Sequence, residues 1–173
     1  MGYLPNCNDG WVTPVTIEVD QAQKSTLEAE MRRVLEVLNP ELDLTTVEVK
    51  AANAVAAEWQ GGTNDHKTSE KGKDNINSAA TKNGPVILSL HGGGFFSGSA
   101  SMERSVTIKC AQMINGRIFG VDYRLVPQNP FPAALLDALV AYVYLLDPPK
   151  GALHEPVDPK NLFIAGDSSG VEL

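Results

Sequence analysis

Cysteine, histidine and positive charge are all scarce in this chain of 173 residues, and each scarcity narrows what it can be. Two cysteines, Cys7 and Cys110, give neither a disulfide framework nor a metal-ligand spacing, so no metal or cofactor is expected. Fourteen Lys and Arg stand against 21 Asp and Glu, for a net charge of -7 and a pI near 4.9, whereas a nucleic-acid partner needs a basic face. No apolar run reaches the ~20 residues of a membrane span. Met1-Gly2-Tyr3-Leu4-Pro5-Asn6 offers neither the basic region nor the apolar core of a secretory leader, and Asn6 stands where a myristoylation signal prefers Ser or Thr. A soluble, cytoplasmic protein is therefore expected. Internal repeats are absent, and 43% hydrophobic residues suffice for a globular core.

What is present is a pair of glycine motifs. The apolar run Leu162-Phe163-Ile164-Ala165 leads into Gly166-Asp167-Ser168-Ser169-Gly170, a G-x-S-x-G pattern in which a strand enters a sharp turn and pushes a serine hydroxyl clear of the backbone. Side chains at either glycine would collide with neighbouring elements, so Ser168 is the candidate nucleophile, although an ordinary turn into a helix uses the same residue types. A second run, Pro85 to Leu90, ends in His91-Gly92-Gly93-Gly94. Three glycines leave N–H groups unshielded, and an oxyanion donor of that kind lowers an acyl-transfer barrier by about 3 to 4 kcal/mol. The competing interpretations are a flexible turn and a phosphate loop. No Lys-Ser/Thr follows and no G-x-G-x-x-G is completed, which counts against nucleotide binding.

Between these motifs lies Asp122-Tyr123-Arg124-Leu125-Val126-Pro127-Gln128-Asn129-Pro130-Phe131-Pro132-Ala133-Ala134-Leu135-Leu136-Asp137. The ordered set, from about Pro85 to Gly170, closely resembles the hormone-sensitive-lipase-like carboxylesterases of the α/β-hydrolase fold. It departs at Gln128-Asn129, where the family usually has Glu-His in a surface turn, and at Val171, where a further Gly is usual after the elbow. The resemblance implies Ser168 as nucleophile acting on a small-molecule ester, with the N–H groups of Gly93, Gly94 and Ser169 as oxyanion hole. His91, Gly92, Gly166, Asp167 and Gly170 would support the site, His91 as an organiser of the glycine loop rather than as a base.

In this family the acid and the histidine follow the serine. Glu172 is the only acid after Ser168 and no histidine follows it, while His66 and His154 sit among loop residues and read as solvated. Without a base the hydroxyl is a weak nucleophile, and losing such a partner costs about a million-fold. The chain alone is thus expected to be nearly inactive, an amino-terminal part of an α/β-hydrolase, or else a truncated product that persists only as an interaction partner. A trypsin-like protease also places Gly-Asp-Ser at its nucleophile, but that class is all-β and carries its His and Asp upstream.

Along the chain, Ser25-Thr26-Leu27-Glu28 reads as a capping box opening a helix with Leu27, Met31, Val34, Leu35 and Leu38 inward, stopped at Asn39-Pro40. The resemblance makes residues 1–44 a cap over the site; the alternative is a helix packed on the sheet. Val47-Glu48-Val49 and Val55 to Trp59 look like the first strands. Residues 60–84 are polar and read as a disordered insertion. From 85 to 173, strand and helix alternate. Val106, Cys110 and Met113 mark one inward helix face ended by Asn115-Gly116, Arg117 to Val121 a strand, and Leu135, Leu139, Val143 and Leu146 a second inward face stopped by Pro148-Pro149. A mostly parallel sheet with flanking helices follows, both motifs at carboxyl ends of strands. Asp137 is expected to make a structural hydrogen bond or face water, and Phe95 and Phe96 to line an acyl pocket or fill core. Leu162 to Ala165 would leave an apolar sheet edge prone to self-association.

Overall fold

The computed structural model describes residues 10–62, 76 and 83–173. Five strands, β1 (Gly10–Glu18), β2 (Ala54–Gly62), β3 (Val86–Leu90), β4 (Arg117–Asp122) and β5 (Leu162–Gly166), form one sheet in the order β1-β2-β4-β3-β5. The β4-β3-β5 half is parallel, as strand and helix alternation predicts. β1 and β2 join it through antiparallel pairings, so the sheet is evenly mixed rather than mostly parallel.

The first strand, β1, is one the sequence patterns miss, because Pro14 interrupts its alternation. At the sheet edge a missing N–H costs no ladder bond, so proline is tolerated there. Val47-Glu48-Val49 is not a strand; Val49 instead packs with Met31, Leu35 and Leu136 in a small apolar cluster. Val55 to Trp59 does lie in β2, which continues through Gln60-Gly61-Gly62, so the first three residues of the expected insertion are sheet. Ile76 is buried and its carbonyl accepts the Arg117 guanidinium at 2.8 Å; positions 63–75 and 77–82, with His66, lie outside the described residues, as do Cys7 and the Met1-to-Asn6 segment.

Helix α1 (Gln21–Leu38) starts earlier than Ser25. Asp20 is its cap, accepting from the Gln23 N–H at 2.8 Å while the Gln23 side chain accepts from the Asp20 N–H at 3.0 Å. The Ser25 and Thr26 hydroxyls donate back to the Gln21 and Ala22 carbonyls, and Glu28 accepts from the Ala51 N–H at 2.9 Å. Met31 and Leu35 are buried in the cluster with Leu136, whereas Val34 and Leu38 face solvent. The helix stops at Asn39, as expected.

Helices α2 (Ala100–Ile114) and α3 (Ala133–Leu146) turn faces inward other than those chosen by counting large apolar residues. On α2 the buried side is Ala100, Thr107, Ile108 and Ala111, while Val106 and Met113 are 62% and 85% exposed. Its contact with β2 is polar: Arg104 pairs with Glu58, and Gln60 bonds both Glu58 and Thr107. A search for apolar periodicity therefore selects the opposite side. α3 is apolar almost all round, and Leu136, Val140, Ala141, Tyr144 and Leu145 go inward while Leu139 and Val143 stay exposed. The left-handed Asn115 (φ 50°, ψ 47°) ends α2, and α3 ends before Pro148-Pro149.

His154 is not a solvated loop residue: it is 5% exposed, its ring 5.1 Å from Trp59 and 4.9 Å from Tyr144. Burial, reinforced by Arg117, pushes its pKa down to about 4, against the weaker pull of the Tyr144 and Leu145 carbonyls. An unfolded histidine titrates near 6.5, so the neutral ring's contribution is complete above about pH 6.5 and is lost as pH falls towards 4. A shift of that size corresponds to about 3 kcal/mol in full and about 2 kcal/mol by pH 5. Urea midpoints should therefore drop between pH 7 and pH 5 in the native chain, and His154→Phe should flatten that drop. An equal drop in both chains would assign it elsewhere.

Candidate active site

Strands β3 and β5 run parallel with Leu90 opposite Gly166, so the glycine loop and the serine turn leave the sheet side by side at the same end. That is where an open α/β sheet presents its reactive groups. The Asp167 N–H continues the ladder, donating to the Leu90 carbonyl at 3.2 Å.

At the turn, Ser168 has φ +48°, a left-handed conformation that costs a serine about 1 to 2 kcal/mol. Its side chain is exposed, and a short 3-10 turn, Ser168–Val171, follows. The strain is enforced by closeness on both sides. A Cβ on Gly166 would lie 2.3 Å from the Gly170 carbonyl oxygen, and one on Gly170 only 2.0 Å from the Leu90 carbonyl oxygen. Ser169 and Gly170 are buried, while Val171, where a glycine was expected, is 70% exposed and leaves the turn intact.

Direct contact joins the two motifs. A Cβ on Gly92 would sit 2.6 Å from Asp167 Oδ2, so the elbow's acid lies against the glycine loop. His91 is buried, its ring stacked on Tyr123 at 4.1 Å and its Nδ1 2.7 Å from the Gly92 carbonyl. The Tyr123 hydroxyl donates to the His91 carbonyl at 2.5 Å, and burial pushes this phenol up, an effect opposed by the neighbouring Ser169 hydroxyl. Glu103, from the first turn of α2, accepts the Gly92 N–H at 2.9 Å. The chain then passes through Gly93 (φ 123°) and Gly94 (φ 62°), and the Phe96 and Ser97 N–H groups both turn back to the Gly93 carbonyl. Among the described residues, neither the Gly93 nor the Gly94 N–H has a protein acceptor. One glycine amide of the three is thus tied down, and two have no acceptor among the described residues.

The DYR segment supports this edge. Asp122 accepts the Ala100 N–H at 2.7 Å, at the start of α2. Arg124 reaches buried Asp137 through its N–H at 2.8 Å and its Nε at 2.9 Å, and caps the Lys50 and Ala133 carbonyls. Of the two expectations for Asp137, the structural hydrogen bond is the one realised. Asn129 makes the local turn, its N–H donating to the Leu125 carbonyl at 3.0 Å. Phe96 is exposed beside Gly94, while Phe95 (φ 66°) packs against the core.

Sequence patterns missed Glu103 and the Tyr123 hydroxyl as holders of the loop; both act on backbone groups of glycine-motif residues, a relation that no local spacing encodes. No histidine is hydrogen-bonded to Ser168 among the described residues: His91 serves the loop and His154 the core. The described residues also hold no group of three His, Cys, Asp or Glu suited to a metal ion, and no helix among them is long and apolar enough to cross a membrane.

The family model described as the alpha/beta hydrolase fold matches residues 87–173. The chain is 33% identical over 94 residues to an acetyl-hydrolase of Streptomyces hygroscopicus, covering 54% of this chain and 29% of that protein. It is 39% identical over 90 residues to human arylacetamide deacetylase-like 2, covering 51% and 22%, and 36% identical over 90 residues to an ethyl acetate hydrolase of Pseudomonas putida, covering 52% and 27%. It thus spans under a third of the length of these relatives. Among solved structures, an esterase of the bacterial hormone-sensitive lipase family superposes with a TM-score of 0.51 at 30% identity, over 83% of this chain and 41% of that one. With the strand-end serine, the glycine loop beside it and a family match over half its residues, the chain belongs to the alpha/beta hydrolase fold family.

Proposed function

We propose that Ser168 is the nucleophile of a carboxylic ester hydrolase. Its Oγ adds to the acyl carbonyl while its proton passes to a general base, and the carbonyl oxygen, now an anion, accepts from the Gly93, Gly94 and Ser169 N–H groups. Collapse expels the alcohol with that proton and leaves an acyl-serine, which water cleaves to the carboxylic acid. The observation that carries this reading is the left-handed Ser168 set against a loop whose Gly93 and Gly94 amides have no protein acceptor among the described residues. Two relatives are named for acetyl groups or ethyl acetate, which supports short acyl esters as substrates.

The base and its carboxylate are not among the residues bonded to Ser168, so the activity is proposed for a protein that supplies them from elsewhere in its length. The same observation favours a second reading, a chain retained only as a binding partner. Incubation with a fluorophosphonate and hydrolysis of p-nitrophenyl acetate separate the two. Labelling at Ser168 with turnover supports the esterase; no label in the protein carrying its full length supports the second.

A cytoplasmic setting and self-association belong to this proposal as well. The free thiol of Cys110 suits a reducing compartment. β5 is the outermost strand, with Phe163 53% and Ile164 61% exposed, which suits pairing with another copy. Sedimentation should show association of the 173-residue chain that Ile164→Lys reduces. A monomeric parent would end the self-association claim and leave the esterase untouched.

A further inference from the structure

Three consecutive peptides, His91-Gly92, Gly92-Gly93 and Gly93-Gly94, make up the glycine loop, and all three are trans. In a trans peptide the carbonyl and the N–H point in opposite directions, so holding one pole aims the other. The Gly92 carbonyl is held by His91 Nδ1 at 2.7 Å, which turns the Gly93 N–H the other way. The Gly93 carbonyl accepts from the Phe96 N–H at 3.2 Å, the Ser97 N–H at 3.1 Å and the Ser97 hydroxyl at 3.1 Å, which aims the Gly94 N–H.

The first peptide differs, because side chains from two other elements hold both of its poles. Tyr123, just past β4, donates its hydroxyl to the His91 carbonyl at 2.5 Å, and Glu103, in α2, accepts the Gly92 N–H at 2.9 Å. Tyr123 is buried, its ring stacked on His91 and the Ser169 hydroxyl beside its own. Glu103 stands on a fixed base: on one side the Ala100 N–H donates to Asp122 at 2.7 Å, and on the other Arg104 Nε donates to Glu58 at 2.7 Å. All three carbonyls and the Gly92 N–H are therefore held, and the two remaining polar groups, without a protein acceptor among the described residues, are the Gly93 and Gly94 N–H donors.

We infer that Tyr123 and Glu103 are positioning residues for ester hydrolysis and act as one unit, gripping the His91-Gly92 peptide at both ends and so fixing the direction of the two donors that follow. The kinetic part of this inference rests on the esterase reading. Gly92 has no Cβ to restrain the backbone, so releasing either grip lets the peptide turn. Once it has turned, removing the second grip costs little more, which couples the two residues. Glu103 serves as an acceptor rather than through its charge: a carboxylate beside the loop opposes the anion that develops there, so a neutral acceptor in its place does the same work.

Steady-state kinetics of the full-length protein with p-nitrophenyl acetate, joined to amide hydrogen exchange at Gly92, test this. Tyr123→Phe and Glu103→Ala should each lower kcat about thirtyfold with KM within about twofold, because a misaimed donor is missed in the transition state and not in substrate binding. The double variant should lose about a hundredfold, well short of the roughly 900-fold product that independent sites give. Glu103→Gln keeps an acceptor and should return kcat to within about threefold of the parent. Tyr123→Phe removes no partner of the Gly92 N–H, yet should speed exchange of that amide about tenfold. Exchange is read without turnover, so a parent that hydrolyses no ester sinks the esterase reading while Gly92 still decides whether the grips are coupled. Losses that multiply in the double variant, parental kcat in both single variants, Glu103→Gln as slow as Glu103→Ala, or parental exchange at Gly92 in Tyr123→Phe would overturn the inference.

Discussion

Replacing Ser168 by Ala is expected to lower ester hydrolysis by the full-length protein about a million-fold, to the level that binding and the amide donors alone sustain. The size of the effect follows from the step that is lost. With no hydroxyl there is no acyl-enzyme, and water must attack directly, helped only by the Gly93, Gly94 and Ser169 N–H groups. The folded state should survive, since the side chain at 168 is exposed; the left-handed φ of 48° costs Ala at least as much as Ser, so a small stability loss accompanies the kinetic one. Steady-state rates with p-nitrophenyl acetate, alongside a urea melt, measure both. A variant that folds and keeps more than a hundredth of the rate would show that 168 is not the nucleophile.

Asp137→Ala should cost about 3 to 5 kcal/mol of stability, because it breaks a buried ion pair from one side. Asp137 is 1% exposed and takes both the backbone N–H and the Nε of Arg124, whose own side chain is 23% exposed. Burial raises the Asp137 carboxyl above its ordinary range, against the pull of Arg124, so the site is held by a balance of desolvation and pairing. Removing the acid frees the Arg124 guanidinium near the Lys50 and Ala133 carbonyls and loosens the segment that carries Tyr123 to the glycine loop. Asp137→Asn keeps the shape and the acceptor, and should cost less than Ala. Equal losses in urea midpoint for Asn and Ala would assign the whole effect to charge, and no loss in either would remove the pair from the stability of this edge.

These two expectations differ in how readable they were. Ser168 is legible because a tight turn needs residues without side chains at fixed positions: Gly166 and Gly170 answer a contact with backbone atoms, and backbone contacts write themselves into sequence as glycine. Asn115 is legible for a similar reason, since a left-handed helix end suits Asn. Helix faces were less so. α2 packs on β2 through Arg104, Thr107 and a small-residue stripe, which looks like an outer face until Glu58 and Gln60 are seen across from it. α3 has apolar residues on every side, so periodicity cannot choose between Leu139 and Val140. His154 reads as solvated because its neighbours in sequence are turn residues; its neighbours in space are Trp59 and Tyr144. β1 was hidden by Pro14, which only an edge position allows. The loop's supports were hidden too, for Glu103 and Tyr123 act across 11 and 32 residues on backbone groups.

The claim on which the rest stands is that the Ser168 hydroxyl and the free amides of the glycine loop converge on one reacting carbonyl. A crystal structure of the full-length protein carrying a phosphonate on Ser168 tests it most directly. The phosphoryl oxygen should lie about 2.7 to 3.1 Å from the Gly93, Gly94 and Ser169 nitrogens, the spacing an oxyanion requires. A phosphonate bonded to Ser168 with its oxygen turned to solvent, away from all three nitrogens, would contradict it.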